Sequence, residues 1–437
     1  MLSHEENELL THVGPGTPMG AYFRRYWIPA CLSEEISETD GAPLRLRLLG
    51  EDLIAFRASD GRVGVVGNNC PHRGASLFFG RNEEQGLRCV YHGWKFDTSG
   101  ACVDMPNEPP ESSFKQKVWV TAYPCEERGG VIWVYMGPPG ERPEMPALEW
   151  SLLPPEQVSL SMLVQECNWA QAVEGGIDSS HVGFLHGKLG RSFAQIPQGT
   201  GRYYSQKDNA PRFEVLDTEY GFVIGARRDA EADSYYWRIS QFLAPFYSMI
   251  PPFGTGGNIS GHAWVPMDDH TVMMWEIEWN PLRPLTDEER AREYANKGTE
   301  GPEGMLPPTS RPGGRWYPRL NASNDYMLDH ELQRTSWFSG VPSTQIQDIA
   351  IQESMGKIFD RTREHLGTSD TAIIHFRRQW LKAARALQES GATPPGVNAP
   401  ESYAVRSASL LLPRGESWTT EGKKVWHADA GVPVASL

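Results

Sequence analysis

No apolar run in the sequence approaches the roughly 18 residues that a membrane-crossing helix needs. A basic excess is also missing: 41 Lys and Arg stand against 55 Asp and Glu, a formal net charge of −14. That argues against nucleic acid as a partner, because a phosphate backbone attracts a basic face. The first residues, MLSHEENELLTHV, lack the basic start and apolar middle of a signal peptide. The expectation is a cytoplasmic protein with neither a membrane nor a nucleic-acid partner. Cysteine is scarce, with six positions (31, 70, 89, 102, 125, 167), and in a reducing compartment paired spacings suggest metal rather than disulfides. No G-x-G-x-x-G loop follows a strand, so a pyridine nucleotide would bind a partner and not this chain.

From about Pro43 to Tyr135 the sequence reads as short strands and turns. PLRLRLLG alternates Leu and Arg, the period of a half-buried strand, and ASDGRV carries an Asp-Gly turn. VWV (118–120) and VIWVY (131–135) read as further strands. GPPGERPEMP, 137–146, is dense in Pro and Gly and marks a domain boundary. Beyond it, 160–187 has helical features, and 212–225, 235–249 and 260–279 read as long strands rich in aromatics. Residues 285–296 form an exposed helix with Thr286 and Glu289 spaced as a capping box. Residues 298–315 read as a flexible insertion, and 344–366 and 369–389 as late helices. The fold class expected is α+β. An N-terminal helical arm (1–42) precedes an all-β domain (43–145), and a domain of antiparallel sheet packed with helices (146–437) follows.

Two loops carry the first set of metal ligands, Cys70-Pro71-His72 and Cys89-Val90-Tyr91-His92. Each offers a thiolate and an imidazole. Four such ligands can hold one tetrahedral zinc or a two-iron cluster. Zinc pairs more often occur as C-x2-C and H-x3-H, so C-x-H with C-x2-H favours a Rieske-type 2Fe–2S centre. Gly74 and Gly93 suit loops whose backbone approaches the cluster sulfurs, and Trp94 could shield it from water. The other four cysteines read as small buried hydrophobes.

The second set lies in EGGIDSSHVGFLHG, 174–187. On a regular helix His181 and His186 would sit about 140° apart. A helix bent or unwound near Gly183 could aim both at one metal. Two histidines and one carboxylate with open positions is the site type of non-haem Fe(II) oxygenases. Asp178, three residues before His181, can accept the N–H of that imidazole and orient it, and Glu174 lies one turn earlier on the same face. Spacing does not choose the third ligand among Asp325, Asp329, Asp348 and Asp360.

These motifs resemble those of the Rieske non-haem iron aromatic ring-hydroxylating oxygenases, large (alpha) subunit. NWAQAVEGGIDSSHVGFLH, CPHRGASLFFGRNEE and IQDIAIQESMGKIFDRTREHLGTSD look like the phthalate dioxygenase branch, over nearly the whole chain. The resemblance implies a Rieske domain over 43–145 and a catalytic domain of helix-grip type over 146–437. It implies Cys70, His72, Cys89 and His92 on the 2Fe–2S cluster, and His181, His186 and Asp348 on a mononuclear iron. It implies that Asp178 bridges a cluster histidine, His92, and an iron histidine, His181, across two subunits of a trimer or hexamer. Electrons would come from NADH through a separate reductase carrying flavin and iron–sulfur centres.

For substrate, the strand 233–251 alternates aromatic and polar residues and would wall an apolar pocket. Arg238 within it, and Arg202, are candidates to bind a substrate carboxylate in two-pronged fashion. Arg227 and Arg228 read as solvated, and Met273 to Trp275 as core. The expected reaction uses O2 and an aromatic carboxylate, as cis-dihydroxylation of a phthalate-type ring. O-demethylation of a methoxylated aromatic acid, and a non-catalytic Rieske electron carrier, are the alternatives.

Overall fold

Leu44–Leu48 is a strand with Leu46 and Leu48 buried and the arginines between them less so, and it pairs with Glu51–Arg57. The Asp-Gly turn falls where expected. Gly61 takes φ +87°, and Glu51–Arg57 folds back against Val63–Gly67 with Arg57 opposite Val63. In this computed structural model the described residues are 1–253, 258–296 (backbone alone at 292–296) and 304–428.

Residues 27–135 are strands and short 3-10 turns, in three small antiparallel sheets. Residues 1–42, expected as a helical arm, hold the helices His4–Thr11 and Pro18–Phe23, but then a strand, Trp27–Leu32. That apolar stretch completes a sheet by pairing with Val131–Tyr135. VWV is not a ladder strand: Trp119 makes one isolated bridge to Ala101 and is 58% exposed.

The second part is one eight-stranded antiparallel sheet, Val158–Gln165, Val272–Trp279, Ile259–Pro266, Tyr247–Ile250, Ser234–Leu243, Gly221–Asp229 and Arg212–Thr218 in spatial order, with Ala408–Pro413 added against Ser234–Leu243. The reading of 160–187 as helical is corrected at its start. Residues 158–165 are strand, buried at seven of eight positions, so no alternation betrays the period. Helix begins at Trp169. The three long strands are each a hairpin, turning near 219–220, 244–246 and 267–271. The helix at 344–366 stops at Ser354, before Gly356 at φ +90°, and a second helix runs Thr371–Ser390. Helix Asp287–Asn296 carries the expected box: Glu289 N–H donates to Thr286 Oγ1 (3.2 Å) and Thr286 N–H to Glu289 Oε2 (2.8 Å). Of the insertion 298–315, residues 298–303 lie outside the described residues. The remainder is tied down rather than loose, Arg45 donating to Ser310 O (3.0 Å) and Leu306 N–H to Tyr317 O (2.9 Å). No helix among the described residues is long and apolar enough to cross a membrane.

One hydrophobic core runs through both parts and fixes the helix that leads to the second ligand set. Trp169, at its start, packs edge-on against Phe23 (4.8 Å) and Phe376 (5.8 Å) and donates its indole N–H to Leu10 O (3.1 Å). Glu174, expected on the face towards the metal, instead turns to Arg361 (3.1 Å) and Arg377 (2.8 Å), both buried. Removing one member of a buried ion pair costs about 3–5 kcal/mol. The urea midpoint of Glu174→Ala is therefore expected well below wild type, with Glu174→Gln in between. Equal midpoints would show that the pair does not hold this helix.

Candidate metal centres and substrate cavity

The two Cys-His loops are built alike. Cys70 N–H donates to Ala75 O (2.8 Å) and Gly74 N–H to Cys70 O (2.9 Å). In the second loop Cys89 N–H donates to Trp94 O (2.8 Å) and Gly93 N–H to Cys89 O (2.9 Å). Both glycines need the left-handed region, at φ +76° and +80°, and a Cβ on Gly93 would lie 2.6 Å from Pro106 Cγ. The thiols of Cys70 and Cys89 are buried side by side, while the rings of His72 and His92, 4.5 Å between centroids, are partly exposed. Trp94 stacks on His72 at 4.3 Å and covers one face of it.

Sulfur and nitrogen donors are thus segregated. A single tetrahedral ion would gather all four into one shell. Among the described residues the set whose donor atoms all lie within 4.8 Å is a different one, His181, His186 and Asp348. The wider spread of the cysteine–histidine quartet fits two irons, sulfur ligands on one and imidazoles on the other, better than zinc. Burial, with Cys89 beside it, pushes the Cys70 thiol up to about 11, so its sulfur ionises near neutrality only against a metal.

Helix Trp169–Ile177 is capped by Asn168, which accepts Ala170 N–H (3.1 Å), and ends at Asp178. A short 3-10 turn, His181–Gly183, follows. This break answers the five-residue spacing: it brings His181 Nε2 to 3.2 Å from His186 Nε2. A side chain at 183 would strike Asn209 Oδ1, 2.0 Å from the added Cβ. Asp348, on helix Thr344–Ser354, lies 3.6 Å from His181 Nε2 and 3.5 Å from His186 Nε2. Asp329 instead caps its own helix and Asp360 its own turn.

The outer nitrogens set the tautomers. Asp178 Oδ2 lies 3.3 Å from His181 Nδ1, and Gln347 Oε1 2.6 Å from His186 Nδ1. Gln347 Nε2 donates to Val341 O (2.7 Å), which aims its oxygen at His186. Carboxylate and amide oxygens accept, so each Nδ1 carries the proton and each Nε2 presents a lone pair. Two imidazole lone pairs and a carboxylate then face one another with no proton between them. A cation relieves that repulsion, and two histidines with one carboxylate suit Fe(II). Burial works against protonation of His181, but Asp178 and Asp348 outweigh it and its pKa is raised; in His186 burial prevails and the pKa is lowered.

This triad opens on a cavity of about 310 Å³ between the helices and the sheet. Arg238 stands in its wall, 3% exposed, with Nε and Nη1 lacking any hydrogen-bond partner and its guanidinium 4.0 Å from the Phe253 ring centroid. Arg202 is not in the wall. It is exposed on helix Gly201–Lys207, 5.4 Å from the same ring. Arg228, read as solvated, is 1% exposed. It donates to Ser179 O (2.5 Å), Ser179 Oγ (3.2 Å) and Asp208 O (3.1 Å), pinning the turn between Asp178 and His181. Gln347, Arg228 and Phe253 escaped the sequence reading. Adjacency to Asp348 was the one available signal for Gln347, and nothing local marked the others.

Comparison with known proteins agrees with this geometry. The family described as Rieske [2Fe-2S] domain matches residues 26–124, and that described as LigXa C-terminal domain like matches 134–432. The chain is 43% identical over 425 residues to the 3-chlorobenzoate-3,4-dioxygenase oxygenase subunit of Comamonas testosteroni, covering 95% of this chain and 96% of that protein. It is 40% identical over 448 residues to the phthalate 4,5-dioxygenase oxygenase subunit of Pseudomonas putida, covering 100% and 98%. The solved structure of a Pseudomonas putida CBB5 NdmA mutant with theobromine shares the fold, with TM-score 0.59 at 17% identity over 91% of this chain and 99% of that one.

Fold and matches define an oxidoreductase that joins a Rieske 2Fe–2S cluster to a mononuclear non-haem iron. The chain belongs to the Rieske non-haem iron aromatic ring-hydroxylating oxygenases, as an oxygenase (alpha) subunit of the phthalate dioxygenase-like branch. Such subunits work in multicomponent systems with a separate reductase or ferredoxin.

Gln347→Leu removes the acceptor for His186 Nδ1–H. Losing such an outer partner typically costs 10–100-fold in metal affinity. The variant is expected to bind Fe(II) that much more weakly while its cluster absorbance stays at wild-type level. Unchanged iron retention would remove Gln347 from the site.

Proposed function

We propose that this subunit hydroxylates an aromatic carboxylate, by cis-dihydroxylation of a phthalate-type ring. Cys70, His72, Cys89 and His92 hold the cluster, and His181, His186 and Asp348 the iron. When bound, the cluster supplies electrons singly and the iron a place for O2 to be reduced. Both oxygen atoms enter adjacent ring carbons, with two electrons and two protons furnished by NADH and a proton through a flavin and iron–sulfur reductase. Dependence on NADH places the system in the cytoplasm.

The single observation that carries the substrate class is Arg238, a cation buried in the cavity wall with two donor nitrogens unpaired. Burying guanidinium N–H groups without acceptors is costly, and a substrate carboxylate would supply a charged acceptor. Phe253, against the guanidinium, limits how the ring can lie, and Arg202, 5.4 Å from the same ring centroid, attracts the anion inwards. The matched oxygenase subunits named for 3-chlorobenzoate and phthalate support this reading. An electron carrier would have no use for the triad or its cavity.

The assembly proposed is a trimer or a pair of trimers. The His72–His92 edge is open, beside Val90 (59% exposed) and Tyr91 (54%), and would meet Asp178 of a neighbouring subunit. Asp178 then links His181 to His92 of the partner subunit.

With a reductase and a panel of aromatic mono- and dicarboxylates, NADH use coupled to a product heavier by both oxygens is expected. Loss of a methyl group would favour demethylation instead. Arg238→Gln should raise KM for carboxylates about tenfold or more, since a hydrogen bond to a charged group is worth roughly 1.5–3 kcal/mol. An unchanged KM would remove the carboxylate from Arg238. Asp178→Asn should keep both metals yet slow single-turnover product formation severely, and a wild-type rate would remove Asp178 from the electron path.

A further inference from the structure

Arg238 has a buried neighbour of the same charge. Arg228 stands opposite Tyr236, and Arg238 opposite Ala226, on the adjacent strands Gly221–Asp229 and Ser234–Leu243. Paired residues share a face of the sheet, and so do residues two apart. Both guanidiniums therefore leave the sheet on one side, as diagonal neighbours whose backbones stand roughly 7–8 Å apart. Arg228 is 1% exposed and Arg238 3%. The acceptors Arg228 has are neutral, Ser179 O (2.5 Å), Ser179 Oγ (3.2 Å) and Asp208 O (3.1 Å), and Arg238 has none at Nε and Nη1. Like charges repel more strongly there than at a surface, because the effective dielectric is lower. Burial, with Arg238 beside it, brings the Arg228 pKa down to about 10, although Asp208 and Asp178 pull the other way.

Arg228 also belongs to the iron site. Its fork closes on Ser179, between Asp178 and His181. Asp178 N–H donates to Gly175 O (3.3 Å) and Ser180 N–H to Asp178 Oδ1 (2.6 Å), so the turn is one hydrogen-bonded unit. Asp178 Oδ2 in turn meets His181 Nδ1 (3.3 Å). A looser grip on Ser179 thus loosens the outer partner of His181, and such partners govern metal affinity. One guanidinium faces the cavity and its neighbour holds the turn that orients the iron ligand.

We propose that Arg228 is a positioning residue that ties occupancy of Arg238 by a carboxylate to the firmness of the Asp178–His181 turn. An anion on Arg238 offsets that charge, the repulsion felt by Arg228 falls, and the hydrogen bonds from Arg228 to Ser179 strengthen. The triad is held most firmly when an acid lies in the cavity. Such coupling is reciprocal, so Fe(II) tightens carboxylate binding by the same factor. A neutral ligand of the same shape fills the cavity without this effect. The inference rests on the Arg238 reading and adds a second arginine to it.

The test titrates Fe(II) anaerobically, by calorimetry, into the full-length protein with its cluster loaded and its mononuclear iron removed. Titrations run alone, with saturating phthalate and with saturating phthalamide. Phthalate is expected to tighten Fe(II) binding about tenfold, within the usual range for coupled sites, and phthalamide to leave it unchanged. In Arg228→Gln the ratio of affinities with and without phthalate should fall towards one, even where Fe(II) binds more weakly throughout. Arg228→Lys keeps the cation but loses the two-pronged grip. Its ratio should lie between, and it carries the test if the Gln variant unfolds at lower urea than wild type. A purely structural Arg228 would weaken Fe(II) binding equally in both titrations and leave the ratio at the wild-type value. That result would overturn the proposal, as would an equal effect of phthalamide. If phthalate binds in a manner dependent on Arg238 but leaves Fe(II) affinity unmoved in the wild type, the coupling alone fails. If phthalate does not bind, or binds Arg238→Gln equally well, the carboxylate reading fails and takes the coupling with it.

Discussion

Three electron-pair donors facing one another inside the protein set the terms for the rest of the site. His181, His186 and Asp348 bring two imidazole nitrogens and a carboxylate together, with both ring protons held on the outer nitrogens by Asp178 and Gln347. Such an arrangement is repulsive unless a cation occupies its centre. Much of the local architecture serves it. The helix must stop at Asp178, the chain must coil through His181–Gly183, and a side chain at Gly183 would have to displace that of Asn209 and press on Ser205 O. Arg228, buried beneath the turn, holds Ser179 in place although it touches neither metal ligand.

Charge is distributed against the overall balance. The chain is acidic, yet Arg238, Arg202 and Lys188 lie close enough to the site to repel one another, and burial with Arg202 nearby brings the Lys188 pKa down to about 8. On the proposed reading, an acidic surface keeps general anions at a distance while a local cationic approach admits the carboxylate that fits. Arg238 and the triad line one cavity, which sets the distance between a guanidinium and the metal site. Placement of this kind is the protein's contribution, the hard chemistry belonging to the metals.

The cluster ligands were readable because Cys-x-His and Cys-x2-His carry their meaning within a few residues, and the two loops fold locally. The iron histidines were readable only once a break near Gly183 was allowed. Asp348 could not be had from spacing, since a helix far along the chain delivers it; resemblance supplied it. The longest strands read as single runs because their turns, Glu219-Tyr220 and the segment 267–271, carry no Asn-Gly or Asp-Gly signal. Val158–Gln165 was misread because a strand buried on both faces has no period to show. Arg228 and Glu174 went wrong for one reason: their partners, Ser179 and Arg361, are set by tertiary packing that no local pattern records.

The central claim is that two separate iron centres share this chain, one bearing sulfide and one not. Anaerobic reconstitution followed by iron and acid-labile sulfide analysis, on the wild type and on Asp348→Ala, tests it most directly. The account predicts iron in excess of sulfide by one atom per chain in the wild type, and loss of that excess alone in the variant, with the sulfide and the Rieske absorbance retained. A protein that holds only zinc, contains no labile sulfide, or shows iron equal to sulfide in both forms would contradict it.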